Sequence, residues 1–129
     1  MFRFRLDGSS GVPPYLQLVH QVRQALLLGY LQEGDRLPTV KDVAADLVIN
    51  PNTVVKAYRQ LEHERLAGGR PGQGTFITAS SVPVPPEAQH GLRASLEAWL
   101  RAAEAAGMSD EAVTALIAVA RRDLKKERV

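Results

Sequence analysis

Apolar residues recur at helical spacing early in the chain. The first such stretch runs from Tyr15 to Tyr30, follows Pro13 and Pro14, and loses its apolar residues near Gly29. Its apolar positions form two neighbouring stripes, which is typical of a helix that is buried over a wide face. The pattern therefore predicts a first helix that begins after the prolines and ends near the glycine.

Two shorter apolar stripes follow, each preceded by a residue that caps helices. Thr39 precedes the first stripe with Asp42 three residues later, and these side chains can accept hydrogen bonds from free first-turn amides. Asn50 precedes the second stripe, with Pro51 at the first helical position, where the missing N–H costs nothing. The pattern predicts a short helix that ends around residues 48–49 and a third helix with Val54, Ala57, Tyr58 and Leu61 on its apolar face.

After Leu66 the pattern changes from helical to extended. Residues 67–70 and 75–78 flank Pro71-Gly72-Gln73-Gly74, which predicts two short strands joined by a tight turn. Residues 34–38 are interpreted as a further turn, and the alternating segment from Phe2 to Leu6 as a short strand or extended arm. The predicted fold is mainly α with a small β-hairpin, a winged helix-turn-helix over residues 1–78.

A proline-rich linker is predicted at residues 79–86, followed by two helices within residues 87–129. Gly107 separates the helices, and Ser109 caps the second one. Two apolar stripes in so small a region have little of their own chain to bury against, so a two-helix C-terminal dimerisation tail and a homodimer are predicted. The predicted dimerisation face comprises Leu92, Leu96, Trp99, Leu100, Val113, Leu116, Ile117, Ala120 and Leu124.

Composition narrows the classes of function. The 129 residues carry a net charge of +2; residues 1–86 hold nine basic and seven acidic side chains, and residues 87–129 hold seven of each. The absence of cysteine excludes disulfides and thiolate sites, and the three histidines lie on separate elements, so no metal or cofactor is predicted. No apolar run reaches the roughly 20 residues of a membrane span, and we expect a cytoplasmic protein with no membrane partner.

In a winged helix-turn-helix the third helix enters the DNA major groove with its N-terminal residues foremost. The polar residues of that leading part are therefore candidate base contacts. The start of the second helix and the wing tip are candidate phosphate or minor-groove contacts. The predicted DNA-binding residues are Asn50, Asn52, Thr53 and Lys56 on the third helix, Thr39 and Lys41 on the second, and Arg70, Gln73 and Gly74 on the wing.

Simpler interpretations stand beside these. Asn50 could serve mainly as a helix cap, and Lys56 and Arg59 could be ordinary solvated charges. Trp99 is interpreted as a packing residue, and the basic cluster at residues 121–128 as a solvated helix end that suits the helix dipole. The chain lacks a nucleophile–base pair and a phosphate-binding loop that opens a helix, so an enzyme is not expected.

The motifs at these junctions carry a family resemblance. Residues 34–44, residues 50–58 with Leu61-Glu62, and residues 72–77 resemble the signature of the GntR family in order and spacing. The Asn-Pro-Asn-Thr-Val motif and the short helical tail most resemble its YtrA subfamily. The resemblance implies a bacterial repressor that binds double-stranded DNA at an inverted repeat as a homodimer. It also implies regulated genes that include an ABC-transporter operon.

The chain departs from the family pattern at four positions. Lys41 stands where the family usually has arginine, which replaces a bidentate fork by a point charge. Pro51 and Val55 replace arginines of the third helix, so those base contacts are not carried over. Arg65 replaces the usual glycine before the wing.

Two questions stay open at the level of sequence. The alternative function is a winged-helix adaptor that binds protein or RNA without operator specificity. Binding that falls steeply with salt and prefers one duplex sequence would indicate the repressor and not the adaptor. A small-molecule effector of unknown identity is also possible, in the region of the linker and the tail helices.

Overall fold

The computed structural model describes residues 2–80 and 84–128. Its elements, in chain order, are α1 (Pro14–Leu27), α2 (Val40–Leu47), α3 (Pro51–His63), β1 (Ala67–Arg70), β2 (Gly74–Ile77), α4 (Pro86–Ala105) and α5 (Asp110–Glu127). The chain divides into two compact units, Met1–Pro86 and Glu87–Val129. The element order confirms the predicted fold class, a mainly helical chain with one small β-hairpin.

The three predicted N-caps are present. The Thr39 hydroxyl oxygen accepts a hydrogen bond from the Asp42 amide at 3.1 Å, and the Ser109 hydroxyl oxygen accepts one from the Ala112 amide at 3.1 Å. The Asn50 Oδ1 atom accepts a hydrogen bond from the Asn52 amide at 2.8 Å. Each cap satisfies a first-turn amide that has no partner within the helix, which fixes where α2, α3 and α5 begin.

The core of the first unit lies around α3, which packs against α1, α2 and β1. Apolar side chains from every element of the unit meet there, and those of α3 are the ones that the helical spacing predicted. The largest side chains that are fully buried are Leu18, Leu37, Leu61, Ile77, Val19, Val22 and Val54.

Two polar contacts tie α3 to its surroundings. The Tyr58 hydroxyl donates a hydrogen bond of 2.6 Å to the Pro38 carbonyl, and burial raises the pKa of this phenol well above its ordinary value. The phenol therefore remains a neutral donor that links α3 to the start of α2. Beyond the end of α3, the Arg23 guanidinium pairs with Glu64, and this hydrogen bonding lowers the pKa of the Glu64 carboxyl.

The wing has one more backbone connection than the sequence predicted. β1 and β2 pair antiparallel, with Ala67 opposite Ile77. Residues 34–38, which the sequence indicated as a turn, also bridge to β2. The Leu37 amide donates to the Thr75 carbonyl at 2.9 Å, and the Ile77 amide donates to the Asp35 carbonyl at 2.8 Å. Residues 35–37 thus lie along the free edge of β2, which connects the wing to the residues just before α2.

The N-terminal arm, residues 2–7, forms no strand. Its backbone bonds to two glutamine side chains one turn apart on α1: the Arg5 amide donates to Gln21 Oε1 at 2.9 Å, and the Asp7 amide donates to Gln17 Oε1 at 2.8 Å. Phe4, within the arm, is buried in the core of the first unit. Of the two predicted alternatives, a strand and an extended arm, the structure has the arm. The alternating pattern is consistent with the burial of Phe4, but the backbone of the arm bonds to side chains of α1 and not to another strand.

Two non-glycine residues of the first unit have left-handed backbone. Val48 has φ of 54° in the turn between α2 and α3, and Arg65 has φ of 61° between α3 and β1. This conformation is uncommon for side chains with a Cβ and is a clear outlier for a β-branched residue. It explains why glycine suits the position of Arg65. A backbone hydrogen bond closes each turn, from the Ile49 amide to the Ala44 carbonyl at 3.1 Å and from the Leu66 amide to the Leu61 carbonyl at 2.9 Å.

The second unit contains almost no core of its own. Ala103 is its one buried residue within the described part of the tail, and no described residue of α5 is buried. α4 begins at Pro86, the last residue of the predicted linker, since proline is well tolerated at the first helical position. Ser81, Val82 and Pro83 of that linker lie outside the described residues.

Candidate DNA-binding surface

The outer face of α3 carries polar and cationic side chains. Asn52, Lys56 and Arg59 follow one another at helical spacing, opposite the buried face of the helix. Together with Val55, Gln60 and His63 they line one open groove. This surface is polar and solvent-exposed at its centre, which is the character expected of a helix that reads base edges.

Asn50 and Asn52 have different freedom to bind a ligand. The Oδ1 atom of Asn50 already accepts the capping hydrogen bond, so the cap role considered in the sequence is real. The backbone amide of Asn52 donates to that cap, but its side chain makes no hydrogen bond within residues 2–80 and 84–128. The C=O and the NH2 of the side-chain amide therefore both remain free. Because adenine is recognised by an amide that donates and accepts at once, Asn52 is the better candidate for a base contact. Thr53 is half-buried at the edge of the same helix.

The predicted phosphate contacts of α2 are exposed. Thr39 keeps its hydroxyl hydrogen available as a donor, because the capping bond uses its oxygen as the acceptor. Lys41 lies in the first turn, where its ammonium group can reach solvent, and Asp42 beside it carries the opposite charge. The structure thus places both residues at the helix terminus where the sequence predicted them.

The wing turn presents the remaining predicted residues. Arg70 and Gln73 are exposed, and the Gln73 amide donates to the Arg70 carbonyl at 2.9 Å, which closes the turn. Gly74 has φ of 116°, and a Cβ built there would lie 3.0 Å from Nε of Arg36. Glycine suits this position because of its positive φ, and a Cβ would also require the exposed Arg36 side chain to move slightly.

Sequence reasoning left two cations out of the predicted site. Arg36 lies against the wing turn through Gly74, and no local pattern could place it there because the contact joins residues 38 positions apart. Arg59 lies one turn beyond Lys56 and two turns beyond Asn52, and its helical spacing was a usable signal. Neither of these arginines, nor Lys41, Lys56 or Arg70, pairs with a carboxylate in the described structure. Their charges are therefore available to an anionic partner.

Two of these cations lie over aromatic rings. The Lys56 ammonium nitrogen is 4.0 Å from the ring centroid of Tyr15 on α1, and the Arg70 guanidinium carbon is 4.1 Å from that of Phe76 on β2. Both are cation–π contacts at close range. They join separate elements, so hydrophobic periodicity along the chain did not reveal them.

Among the described residues there is no cluster of three or more histidine or carboxylate side chains that could hold a metal ion. None of the described helices combines the length and the apolar character needed to cross a lipid bilayer.

Three helices around one core, a capped helix-turn-helix and an antiparallel wing define a winged helix-turn-helix protein of the DNA-binding class. Residues 14–77 match the family described as "Bacterial regulatory proteins, gntR family". The chain is 32% identical over 102 residues to YhcF, an uncharacterised HTH-type transcriptional regulator of Bacillus subtilis (strain 168); the match covers 79% of this chain and 84% of YhcF. The chain belongs to the GntR family, whose members are transcriptional regulators and not enzymes.

Two further similarities extend this assignment. The HTH-type transcriptional repressor YtrA of Bacillus subtilis (strain 168) is 38% identical over 77 residues, a match that covers 60% of this chain and 59% of YtrA. The crystal structure of a transcriptional antiterminator from Listeria monocytogenes EGD-e is 28% identical, with a TM-score of 0.60, over 95% of this chain and 92% of that one. The resemblance predicted from the motifs, to the GntR family and to YtrA within it, is confirmed.

Proposed function

We propose that the protein is a sequence-specific repressor that binds an inverted-repeat operator in double-stranded DNA as a homodimer. The observation that carries the proposal is the outer face of α3, where Asn52, Lys56 and Arg59 are exposed and without carboxylate partners. A helix of this kind fits the major groove, and the adjacent wing offers Arg70 and Arg36 to the phosphate backbone. The similarity to the repressor YtrA supports repression as the outcome of binding.

The tail supports the dimeric part of the proposal. The predicted dimerisation face remains accessible in the single chain: Leu92 is 72% exposed, Leu124 55% and Leu96 49%. Trp99, Leu100, Leu116 and Ala120 are also exposed, and Val113 and Ile117 are partly so. Exposed apolar side chains on two helices favour association, because a second copy can remove them from water. Symmetric pairing of two chains gives a two-fold arrangement that matches an inverted repeat.

Regulated genes and an effector follow from the resemblance to the YtrA subfamily. That resemblance supports an ABC-transporter operon as the target of repression. A small-molecule effector remains part of the proposal, with no chemical class assigned to it.

The proposal is tested by fluorescence anisotropy with a labelled duplex from the protein's own upstream region and a scrambled duplex, each at two salt concentrations. We expect preference for the upstream duplex and a Kd that rises steeply with salt, because phosphate contacts release counterions. Asn52→Ala should weaken specific binding by about 1–3 kcal/mol, with a smaller effect on the scrambled duplex. Lys56→Ala should also weaken binding.

A matched control separates these effects from general charge. Arg5→Ala removes one exposed cation from the arm, outside the proposed surface, and should leave the preference between the duplexes unchanged. Equal binding to both duplexes by the unaltered protein would contradict operator specificity.

The second candidate function is a winged-helix adaptor that binds RNA or protein. The similarity to a Listeria transcriptional antiterminator favours including it. A single-stranded RNA transcribed from the same upstream region is the discriminating probe. Tighter binding to that RNA than to the duplex would replace the repressor by the adaptor.

A further inference from the structure

Aromatic rings hold two cations of the proposed DNA-binding surface, and the neighbouring cations are free. Lys56 lies over Tyr15 at 4.0 Å, and Arg70 lies over Phe76 at 4.1 Å. The side chains of Lys41 and Arg59 make no ring contact, hydrogen bond or ion pair in the part of the chain that the structure describes. The surface therefore contains two kinds of cation, which differ in how firmly they are positioned.

We propose that Tyr15 and Phe76 are positioning residues for DNA recognition, which hold Lys56 on α3 and Arg70 on the wing at the places where they bind DNA. This inference rests on the proposed function, since it concerns the same surface. It adds α1 to the elements that determine specificity, although α1 itself need not touch a base.

The advantage of a ring over a carboxylate is electrostatic. An ion pair would restrict a lysine but would also neutralise its charge toward phosphate. A ring face restricts the side chain and leaves the positive charge and the N–H donors for a ligand. Since a free lysine or arginine loses substantial rotamer freedom when it is ordered on binding, a cation that is already held loses less.

The two rings are themselves fixed. Tyr15 is half-buried and packs against the core of the first unit at the start of α1. Phe76 is half-buried on β2, and its backbone is bridged to Arg36 on one side and paired with Gly68 of β1 on the other. Each ring therefore presents a rigid platform to a flexible cation.

The experiment is a double-mutant cycle on the upstream duplex, with Tyr15→Leu, Lys56→Gln and the two combined. Removal of the ring should raise Kd about two- to fivefold, as expected for an exposed cation–π contact. In the Lys56→Gln background the same ring substitution should have no effect. Tyr15→Phe keeps the ring face and should bind as the unaltered protein does.

Arg59 provides the matched control. It lies on the same helix face and has no ring beneath it. Tyr15→Leu should therefore raise Kd by the same factor in an Arg59→Gln background as in the unaltered protein. Phe76→Leu with Arg70→Gln repeats the cycle on the wing, with Phe76→Tyr as the conservative variant, and we expect the same pattern.

A measurement without DNA tests the contact itself. In a proton–carbon NMR spectrum, the ε protons of Lys56 should be shifted upfield by the Tyr15 ring, and the shift should disappear in Tyr15→Leu. Retention of the folded spectrum elsewhere shows that the variant has not unfolded.

Several outcomes overturn the inference. Unchanged or tighter binding by Tyr15→Leu would mean that the ring withholds Lys56 from DNA. An equal loss in the Lys56→Gln background, or a loss in Tyr15→Phe, would mean that Tyr15 contacts DNA directly. If the unaltered protein discriminates no duplex, the proposed function fails, and the NMR shift still decides whether the ring holds the lysine.

Discussion

The two units of the chain obtain their stability in different ways. In the described part of the first unit, sixteen buried apolar residues form one core, and they come from the arm, the three helices, the segment between α1 and α2, and the wing. In the described part of the second unit, Ala103 is the one buried residue, although the unit contains the two longest helices. Helix length therefore gives no measure of how much of the apolar surface a helix has covered.

This contrast bears on where the second unit can bury its apolar faces. Isolated helices in water gain most of their stability from packing of an apolar face, and a monomeric tail offers little to pack against. The first unit should fold irrespective of protein concentration, whereas the stability of the second should depend on it.

A cavity in the first core should have the largest effect. Leu61→Ala removes a fully buried side chain of α3 and should lower the free energy of unfolding of the first unit by about 2–5 kcal/mol. The loss should be the same at low and high protein concentration in urea unfolding followed by circular dichroism. Leu27→Ala, at a position 72% exposed, is the control and should change stability by less than about 0.5 kcal/mol.

Loss of an apolar side chain from the tail should weaken dimerisation. Leu96→Ser removes an apolar side chain from the predicted dimerisation face and should raise the dimer Kd about tenfold or more, which corresponds to about 1.4 kcal/mol. Sedimentation equilibrium over a range of concentrations measures this. Ala118→Ser, on another face of α5, should leave the Kd unchanged. If the unaltered protein is a monomer at all concentrations, the proposed dimer is contradicted.

The two units also differ in the residue type that occupies a left-handed turn position. The first unit holds Val48 with a positive φ, whereas the tail uses Gly107, with φ of 89°, at its own left-handed position. Val48→Gly should stabilise the first unit by about 0.5–1 kcal/mol, the relief of αL strain less the entropy that glycine loses. Thermal unfolding measures the gain, and Val48→Ala, which keeps a Cβ, should show little of it. A loss of stability in Val48→Gly would mean that the turn is not strained.

The pH dependence of the first unit should show the smallest effect. Hydrogen bonding to Arg23, and then to Gln60, lowers the pKa of Glu64 from its ordinary value of 4.5. A lowered folded-state pKa contributes stability that is present above pH 4.5 and is lost as the pH falls through the folded value. Glu64→Gln should therefore flatten the dependence of unfolding free energy on pH below about 4.5. If the slope of unfolding free energy against pH is the same in Glu64→Gln and in the unaltered protein, the lowered pKa of Glu64 is contradicted.

The sequence predicted what is local. Helix starts followed from Thr39, Asn50 and Ser109, because each cap bonds to an amide two or three residues away. The faces of α3 followed from spacing alone, and so did the unburied stripes of the tail.

What the sequence did not predict depends on distant partners. The place of Arg36 beside Gly74, the ring beneath Lys56 and the bridge to β2 each join elements that lie far apart in the chain. The strain at Val48 was also hidden, because residue type opposes the backbone conformation that the packed turn requires.

The glutamine contacts of the arm have a consequence for dynamics. Because the amides of Arg5 and Asp7 bond to side chains of α1, the arm can detach without breaking any helix or strand. Native-state hydrogen exchange should then show these two amides opening locally, at a free energy limited by the burial of Phe4, on the order of 2–3 kcal/mol. Amides in the middle of α3 should exchange much later, through global unfolding. The arm would thus be a separate cooperative element attached to a domain that survives its departure.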